Sequence, residues 1–414
     1  MKKLLLIILI LFIIFGGYVL YDNYKDKGIP ILKTEEEVIN IDKLFIYGNH
    51  LNLHGNLIDD NNLQLVLYNG EFIEYNINVK DNEFNLSDYV NEGITLEDIP
   101  IGTYSLFLRS KDIDDKGEDS FKYYTLNNTT KYKETEYYTF SNVGNKIIIN
   151  SDDTYNTLAI KVIENDNDSV YDIVIDPGHG GMDSGAIKNG NRESDFTMKI
   201  ALDLKEKMET YGIKVKLTRE DGQLTRDDLL PNYGVHGRAV IPYEVKAKYL
   251  FSIHLNSNTS TKVGGLEIYT ADNINYDFAK EMASNILQLA NAKYSKNLIN
   301  KVSDGIYTRT FSENDIQKSI KEYNDKKMNP YDITTKSNYY FMIRETGGIT
   351  TGAYVDDRNE EIDGNPYFSS NVGCETYLLE LAYLTSVDDL NNINNNMSKY
   401  TEAIASTFKQ IFEK

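Results

Sequence analysis

The segment that most constrains the fold of this chain is YDIVIDPGHGGMDSGAIKNGNRESDFTMKIALDLKEKM, residues 171–208. The β-forming residues 173–175 end in a turn at 176–178, which places His179 at the end of a predicted strand. Glycines on both sides keep the space around its imidazole clear. Glu193 then opens a helix predicted by apolar residues at four-residue spacing: Phe196, Ile200, Leu204 and Met208. A histidine and a carboxylate therefore lie at the same end of a β-loop-α unit, as a metal site requires.

The length and charge of the chain limit its class. Its 414 residues predict two folded domains rather than one. With 63 acidic against 43 basic residues the net charge is −20, which argues against a nucleic acid partner, because phosphate binding depends on Lys and Arg. The single cysteine, Cys374, excludes an intrachain disulfide and a thiolate-rich zinc cluster. Only five histidines are available for a histidine-based site.

The N-terminus predicts a membrane anchor. Two lysines precede an apolar run over residues 4–20, about the shortest length that spans a bilayer as a helix. No small-residue cleavage site follows, so residues 1–25 are predicted to be an uncleaved transmembrane signal anchor. The alternative is a cleaved signal peptide. We expect a single-pass protein of the cell membrane with its folded part extracellular, after a polar linker at residues 26–42.

The sequence from 43 to 167 has a different pattern. Short segments rich in Tyr, Ile, Val and Leu alternate apolar with polar residues and are separated by Asn, Asp and Gly turns. This pattern is typical of an antiparallel β-sandwich of about seven strands. His50 and His54 lie here without an obvious partner, so we assign them no role. Whether this domain binds a ligand is left open.

Strands and helices alternate from residue 171 to 414, which predicts an α/β domain with a mostly parallel sheet flanked by helices. Ligands of such sheets lie at the carboxyl ends of the strands. His254, in FSIHLNSN, follows an apolar strand just as His179 does. Two imidazoles and the Glu193 carboxylate form a three-ligand zinc site that leaves a fourth position for water.

Glu380 is a candidate acid/base. It lies in CETYLLELAYLTS, inside an otherwise apolar strand, where a charge is costly unless it faces a polar site. Hydrolysis of a peptide-like bond at zinc needs a group that takes a proton from water and passes it to the leaving amine. The alternative for Glu380 is an outward-facing strand residue.

These segments resemble the zinc-dependent N-acetylmuramoyl-L-alanine amidases. The resemblance covers residues 171–414 in order and rests on IVIDPGHGGMDSGA, the helix-opening Glu193, YGIKVKLTRE, an arginine at 238 before SIHLNS, GGLEIY and YLLELAYLTS. It implies Zn²⁺ held by His179, Glu193 and His254, with Glu380 as the catalytic residue. It also implies peptidoglycan as the substrate, cut at the amide between the muramic acid lactyl group and L-alanine, in cell-wall remodelling or lysis.

The chain departs from the family pattern in three places. An extra DLLPNYGVHG precedes His254 and contains His236, which we expect at the surface; a long insertion occupies about 294–372; and Ala382-Tyr383 replaces the usual Gly-Phe. We expect the insertion to form a lid or a surface for an activator protein. Arg344 aligns loosely with a family arginine near the cleft and is a candidate substrate ligand, or else part of an ordinary surface salt bridge.

Asp176 is predicted to orient a metal-bound imidazole, because such rings usually donate their other N–H to a carboxylate or carbonyl. Two further readings of the function stay open at this point. The same zinc site suits a peptidase that acts on the stem peptide, and a domain whose site has decayed would be a non-catalytic, peptidoglycan-binding regulator.

Overall fold

The N-terminal half is built from strands, as its short alternating segments require. The computed structural model describes residues 39–57, 63–113, 117, 119–126, 135–165, 169–226, 228, 237–325, 333–352 and 372–414. Up to residue 165 its strands are β1 (Ile39–Tyr47), β2 (His50–Leu57), β3 (Leu63–Tyr68), β4 (Phe72–Asn76), β5 (Asn78–Lys80), β6 (Glu83–Asn85), β7 (Ile94–Thr95), β8 (Gly102–Ile113), β9 (Asp119–Thr125), β10 (Thr135–Tyr138), β11 (Asn145–Asp152) and β12 (Thr157–Glu164).

These strands form two antiparallel sheets around one hydrophobic core. In the described part of this half, β1, β2, β5, β6 and β7 make up one sheet, and the other has the order β10-β11-β12-β8-β3-β4 with β9 beside β8. The core joins Leu51 and Phe84 of the first sheet to Leu65, Leu106 and Ile147 of the second. There are more strands than the sequence predicts, because β5, β6 and β7 are only two or three residues long.

The C-terminal half contains a mixed sheet and its helices. Its elements are β13 (Ile173–Pro177), β14 (Ile187–Lys188), β15 (Asn191–Arg192), α1 (Glu193–Thr210), β16 (Val215–Leu217), α2 (Ile241–Glu244), β17 (Tyr249–Asn256), β18 (Glu267–Thr270), α3 (Asp277–Ala290), β19 (Lys301–Ser303), β20 (Ile306–Thr308), α4 (Glu313–Asp325), α5 (Phe341–Thr346), β21 (Val372–Gly373), β22 (Glu375–Tyr383) and α6 (Val387–Phe412). Short 3-10 helices cover Leu96–Asp98, Arg238–Val240 and Gly348–Thr350.

The central sheet has the order β16-β13-β17-β22-β18-β20-β19. The strands β16, β13, β17 and β22 run parallel, and β18 is antiparallel to β22. Alternation along β13 explains why both faces are covered: Ile173 and Ile175 pack into the cluster formed with α1, α3 and α6, whereas Val174 packs into the cluster formed with α2 and α5. A strand that is buried on both faces requires the continuous apolar run seen in the sequence.

Part of the predicted insertion belongs to the fold itself. The short strands β19 and β20 extend the central sheet beside β18. Helix α5 packs Met342 into the cluster on the second face. These described parts are therefore not a lid, because they complete the sheet and cover it. Residues 326–332 and 353–371 lie outside the described residues, as does His236.

The two halves pack directly against each other at the amino ends of the central strands. Phe45, Tyr47 and Phe140 of the N-terminal half join the hydrophobic cluster of the central sheet. The backbone N–H and the hydroxyl of Ser141 each donate to Asp172 over 2.6 Å. Strand β21, at the end of the insertion, pairs in parallel with β1.

None of the helices in the described ranges is long and apolar enough to cross a bilayer. The anchor predicted for residues 1–25 and residues 26–38 of the predicted linker lie outside those ranges, whereas residues 39–42 of that linker belong to β1.

Candidate metal centre

The parallel register of the central strands brings the predicted metal ligands together. Pro177, the last residue of β13, pairs with Ile253 of β17, so His179 and His254 follow at the same edge of the sheet. Glu193 is the first residue of α1, which packs against both strands. Its Oε1 lies 3.0 Å from His179 Nε2 and 3.1 Å from His254 Nδ1. Three residues that are far apart in sequence therefore converge on one point.

Glu193 is held as a carboxylate. It is buried, and its Oε1 accepts a hydrogen bond from the Leu255 N–H while its Oε2 accepts one from the Ala186 N–H. Burial acts to raise the pKa of Glu193, but the hydrogen bonds from the two imidazoles outweigh it and hold this pKa well below the usual range. The group is therefore ionised at neutral pH, as a metal ligand must be.

This donor set fits zinc. Two imidazole nitrogens and one carboxylate oxygen lie within 4.8 Å of one another, and this is the cluster of possible metal ligands found among the residues that the structure describes. Ligand atoms on one tetrahedral zinc ion are roughly 3.3 Å apart, given metal–ligand distances of about 2.0 Å. The separations of 3.0 and 3.1 Å from Glu193 are close to that value. Each imidazole nitrogen is therefore already about as far from the carboxylate oxygen as two ligands of one zinc ion are.

Asp183 orients the ring of His179. Its Oδ2 lies 2.7 Å from Nδ1 of that imidazole and accepts the Nδ1 proton, so Nε2, which faces Glu193, is the ring nitrogen that would give up its proton to bind a metal ion. His179 has a left-handed φ of 62°, which is unusual for a residue other than glycine. Its carbonyl oxygen accepts a hydrogen bond of 3.0 Å from Arg238, which holds this conformation. Asp183 was not among the predicted site residues, although it lies only four residues after His179 in the sequence.

Two glycines leave room for the imidazoles, but the sequence prediction is only partly right, because Gly178 clears the ring of His254 and the glycine that clears the ring of His179 is Gly185. A Cβ at Gly178 would lie 2.3 Å from the nearest ring atom of His254. At Gly185, which also has a positive φ of 61°, a Cβ would lie 2.6 Å from the His179 ring and 2.7 Å from Glu193. Neither position has space for a side chain while the three ligands converge.

Glu380 lies beside this centre. It is the β22 residue in register with His254, and on its other side it is in register with Glu267 of β18. Its Oε2 is buried and has no hydrogen-bond partner in the described structure. Burial, followed by the nearby carboxylates of Glu193 and Glu267, raises the pKa of Glu380 well above its usual value. A carboxyl group in this state can carry a proton at neutral pH.

Asp176 and Arg344 do not have the surroundings predicted for them. The Asp176 carboxylate accepts hydrogen bonds from Thr218, Ser252 and Arg238, so it braces the sheet beneath the site, and the carboxylate on the His179 ring is Asp183. Arg344 is 5% exposed and donates to Glu345 and to the carbonyl oxygens of Asn338 and Tyr339. These contacts hold the insertion together and do not leave the guanidinium facing a substrate.

Comparisons with known proteins are consistent with this geometry. A family model described as N-acetylmuramoyl-L-alanine amidase matches residues 173–410. The amidase AmiA of Escherichia coli is 33% identical over 102 residues, which are 24% of this chain and 32% of that protein. The probable cell wall amidase LytH of Staphylococcus aureus is 35% identical over 100 residues, 23% of this chain and 30% of that protein. The matched stretch thus spans about a third of the length of these curated relatives.

Among solved structures, the catalytic domain of the amidase CwlV from Bacillus (Paenibacillus) polymyxa superposes with a TM-score of 0.38 at 19% identity, covering 59% of this chain and 99% of that one. The family model matches more than half of the 414 residues, and its range contains all three converging ligands as well as Glu380. The chain therefore belongs to the N-acetylmuramoyl-L-alanine amidase family.

Proposed function

We propose that this chain is a zinc-dependent N-acetylmuramoyl-L-alanine amidase that hydrolyses the amide between N-acetylmuramic acid and L-alanine in peptidoglycan. The observation that carries the proposal is the convergence of His179, Glu193 and His254 on one point, with Glu380 in register beside them. Membership of the family supports the choice of bond.

The residues divide the work of hydrolysis. His179, Glu193 and His254 would hold the zinc ion, which polarises a carbonyl and lowers the pKa of water when bound. Asp183 keeps the His179 ring in the tautomer that presents Nε2. In the reaction, the oxygen of water bonds to the acyl carbon, the C–N bond breaks, and the amine leaves with an added proton.

Glu380 moves that proton. As a base it takes a proton from water, and as an acid it delivers the proton to the leaving nitrogen. Its raised pKa favours the acid step, because a group with the usual glutamate pKa would be a poor acid at neutral pH. Its unpartnered Oε2 leaves an atom available for the exchange.

Digestion of purified peptidoglycan, with and without a chelator, tests the proposal. We expect free stem peptides that begin with L-alanine and intact glycan strands, identified by mass spectrometry, with no release in chelator and recovery when zinc is restored. Shortened peptides still attached to glycan would indicate a zinc peptidase instead. Binding without any product from metal-loaded protein would indicate a non-catalytic regulator.

The setting of the enzyme is part of the proposal. The apolar run over residues 4–20, preceded by two lysines, supports a chain held at the cell membrane with its catalytic domain facing the wall. Fractionation of cells, followed by protease treatment of intact protoplasts, tests this arrangement. An activator protein at the insertion remains a further proposal, and co-purification of the full chain under native conditions addresses it.

A further inference from the structure

A cavity of about 790 Å³ adjoins Glu380. Its wall comes from β18 and from the loops that follow β17 and α3, and none of the three predicted metal ligands lines it. Strand β22 lies between β17 and β18 in the sheet, so its Glu380 is in register with His254 on one side and with Glu267, which lines the cavity, on the other. The volume is in the range of cavities that bind small ligands and short peptides.

Two carboxyl groups in this wall, Glu380 and Glu267, differ in how many hydrogen bonds they accept. Glu267 is fully buried and accepts hydrogen bonds from the hydroxyls of Ser295, Tyr269 and Tyr383 and from the amide of Asn256. Glu380, in contrast, lines the cavity, and within the described residues its buried Oε2 has no hydrogen-bond partner. A group placed in the cavity would therefore meet Glu380 directly.

The chemistry of the proposed reaction indicates which part of the substrate would occupy this cavity. The acid delivers its proton to the leaving nitrogen, so the leaving group must lie on the side of the acid and the acyl group on the side of the metal ligands. For the proposed amide, the leaving group is the stem peptide, which begins with the amine of L-alanine. The cavity beyond Glu380 is on the side where that peptide would extend.

Three lysines line the same cavity: Lys262, Lys293 and Lys296. All three are exposed, and within the described residues none forms an ion pair. Two aspartates of α6 line the cavity as well: Asp389, whose Oδ2 already accepts hydrogen bonds from the backbone N–H groups of Gly265 and Tyr383 over 2.7 and 2.9 Å, and the exposed Asp388. In a chain with a net charge of −20, a group of unpaired cations is a local attraction for an anionic ligand.

We propose that this cavity binds the leaving peptide and that Lys262, Lys293 and Lys296 select stem peptides with free carboxylates. This inference rests on the proposed amidase function and specifies the substrate class of the same site. The lysines act on binding, and Glu380 acts on the proton transfer.

The test compares two soluble N-acetylmuramoyl-peptides that differ only at the second residue of the peptide, which carries either a free α-carboxylate or the corresponding carboxamide. The variant replaces the three lysines by glutamine, and the matched control is Lys161→Gln, an exposed lysine of β12 in the N-terminal half. We expect the triple variant to raise KM for the carboxylate substrate on the order of tenfold, because exposed ion pairs each contribute only a modest factor.

The expected pattern has three further parts. The kcat of the triple variant stays within about twofold of the wild-type value, because the acid and the ligands are intact. The amidated substrate shows a smaller rise in KM, and Lys161→Gln behaves as the wild type on both substrates. Higher salt reduces the preference of the wild type for the carboxylate, since exposed charges are screened.

Equal KM values for the triple variant and the wild type on the carboxylate substrate would overturn the inference, as would an equal rise on both substrates. Both results leave the amidase function standing if the wild type still releases peptides that begin with L-alanine. If the metal-loaded wild type releases none from either substrate, the proposed function itself has failed.

Discussion

The two ends of the central sheet both contain buried carboxylates, but their surroundings are opposite. At the amino end, Asp172 accepts hydrogen bonds from Ser141 and from the Lys214 N–H. Glu375 accepts hydrogen bonds from Asn91 and Tyr377. At the carboxyl end, the Oε1 of Glu193 contacts two imidazoles, and among the described residues the Oε2 of Glu380 has no hydrogen-bond partner.

The difference lies in what each carboxylate is bonded to. Ser141 and Asn91 belong to the N-terminal half, so Asp172 and Glu375 join the two halves of the molecule. At the carboxyl end, the predicted metal-binding atoms of Glu193 and the two histidines lie close together. Among the described residues, the Glu380 oxygen that could exchange a proton forms no hydrogen bond. Burial of a carboxylate in a strand is therefore not by itself a sign of catalysis. Its available hydrogen-bonding capacity and its position at the carboxyl ends of the strands are the better guides.

The largest expected effect is the loss of turnover in Glu380→Gln. The amide keeps the shape of the side chain but can neither take nor deliver the proton, so turnover should fall on the order of 10³-fold. Zinc content and melting temperature should stay close to those of the wild type. The same substitution five residues earlier, Glu375→Gln, is the matched control and should leave turnover nearly unchanged. Comparable turnover losses in the two variants would contradict the division between the ends.

Glu375 should give the amino end a measurable pH dependence. Burial raises the pKa of Glu375 from 4.5 to about 7. Between these values the folded chain keeps a proton that the unfolded chain releases, so the free energy of unfolding falls as the pH rises through this window. The loss is on the order of 3 kcal/mol. Urea unfolding from pH 4.5 to 7.5 measures it, and Glu375→Gln should lack this component. Identical slopes for the two proteins would show that Glu375 is not responsible.

Asp183→Asn tests whether this carboxylate orients the His179 ring at the carboxyl end of the sheet. Without the carboxylate on Nδ1, the His179 ring loses its preferred tautomer and orientation, and zinc affinity should fall about 10- to 100-fold. Competition with a chromophoric chelator measures the affinity. Asp221→Asn, at an exposed position nearby in sequence, should bind zinc as the wild type does. Unchanged affinity in Asp183→Asn would leave the ring without its proposed support.

The three metal ligands could be predicted from the sequence because each lies next to a recognisable local pattern. His179 and His254 each follow an apolar strand, and Glu193 opens a periodic helix, so strand ends and helix starts are enough to place them at one edge. The choice of Glu380 needed more. Glu375 lies in the same apolar strand, so the expected cost of burying a charge singles out neither residue. Only the resemblance to the amidases, and the position beside His254, separates them.

Long-range contacts explain the expectations that differ from the structure. Asp176 directly precedes the turn to His179, but its carboxylate is taken by Thr218, Ser252 and Arg238, which are 42 to 76 residues away. Arg344 was expected to bind substrate or to form a surface salt bridge, yet the folded insertion buries it beside Glu345. The contacts of Asn91 with Glu375 and of Ser141 with Asp172 join the two halves, and no local spacing in the sequence indicates them.

An anomalous diffraction map, measured at the zinc absorption edge on crystals of the chain grown with zinc, tests the central claim most directly. We expect one strong peak within bonding distance of His179 Nε2, Glu193 Oε1 and His254 Nδ1, and no peak there in crystals of His254→Ala. A strong peak elsewhere, with no density among these three atoms, would contradict it.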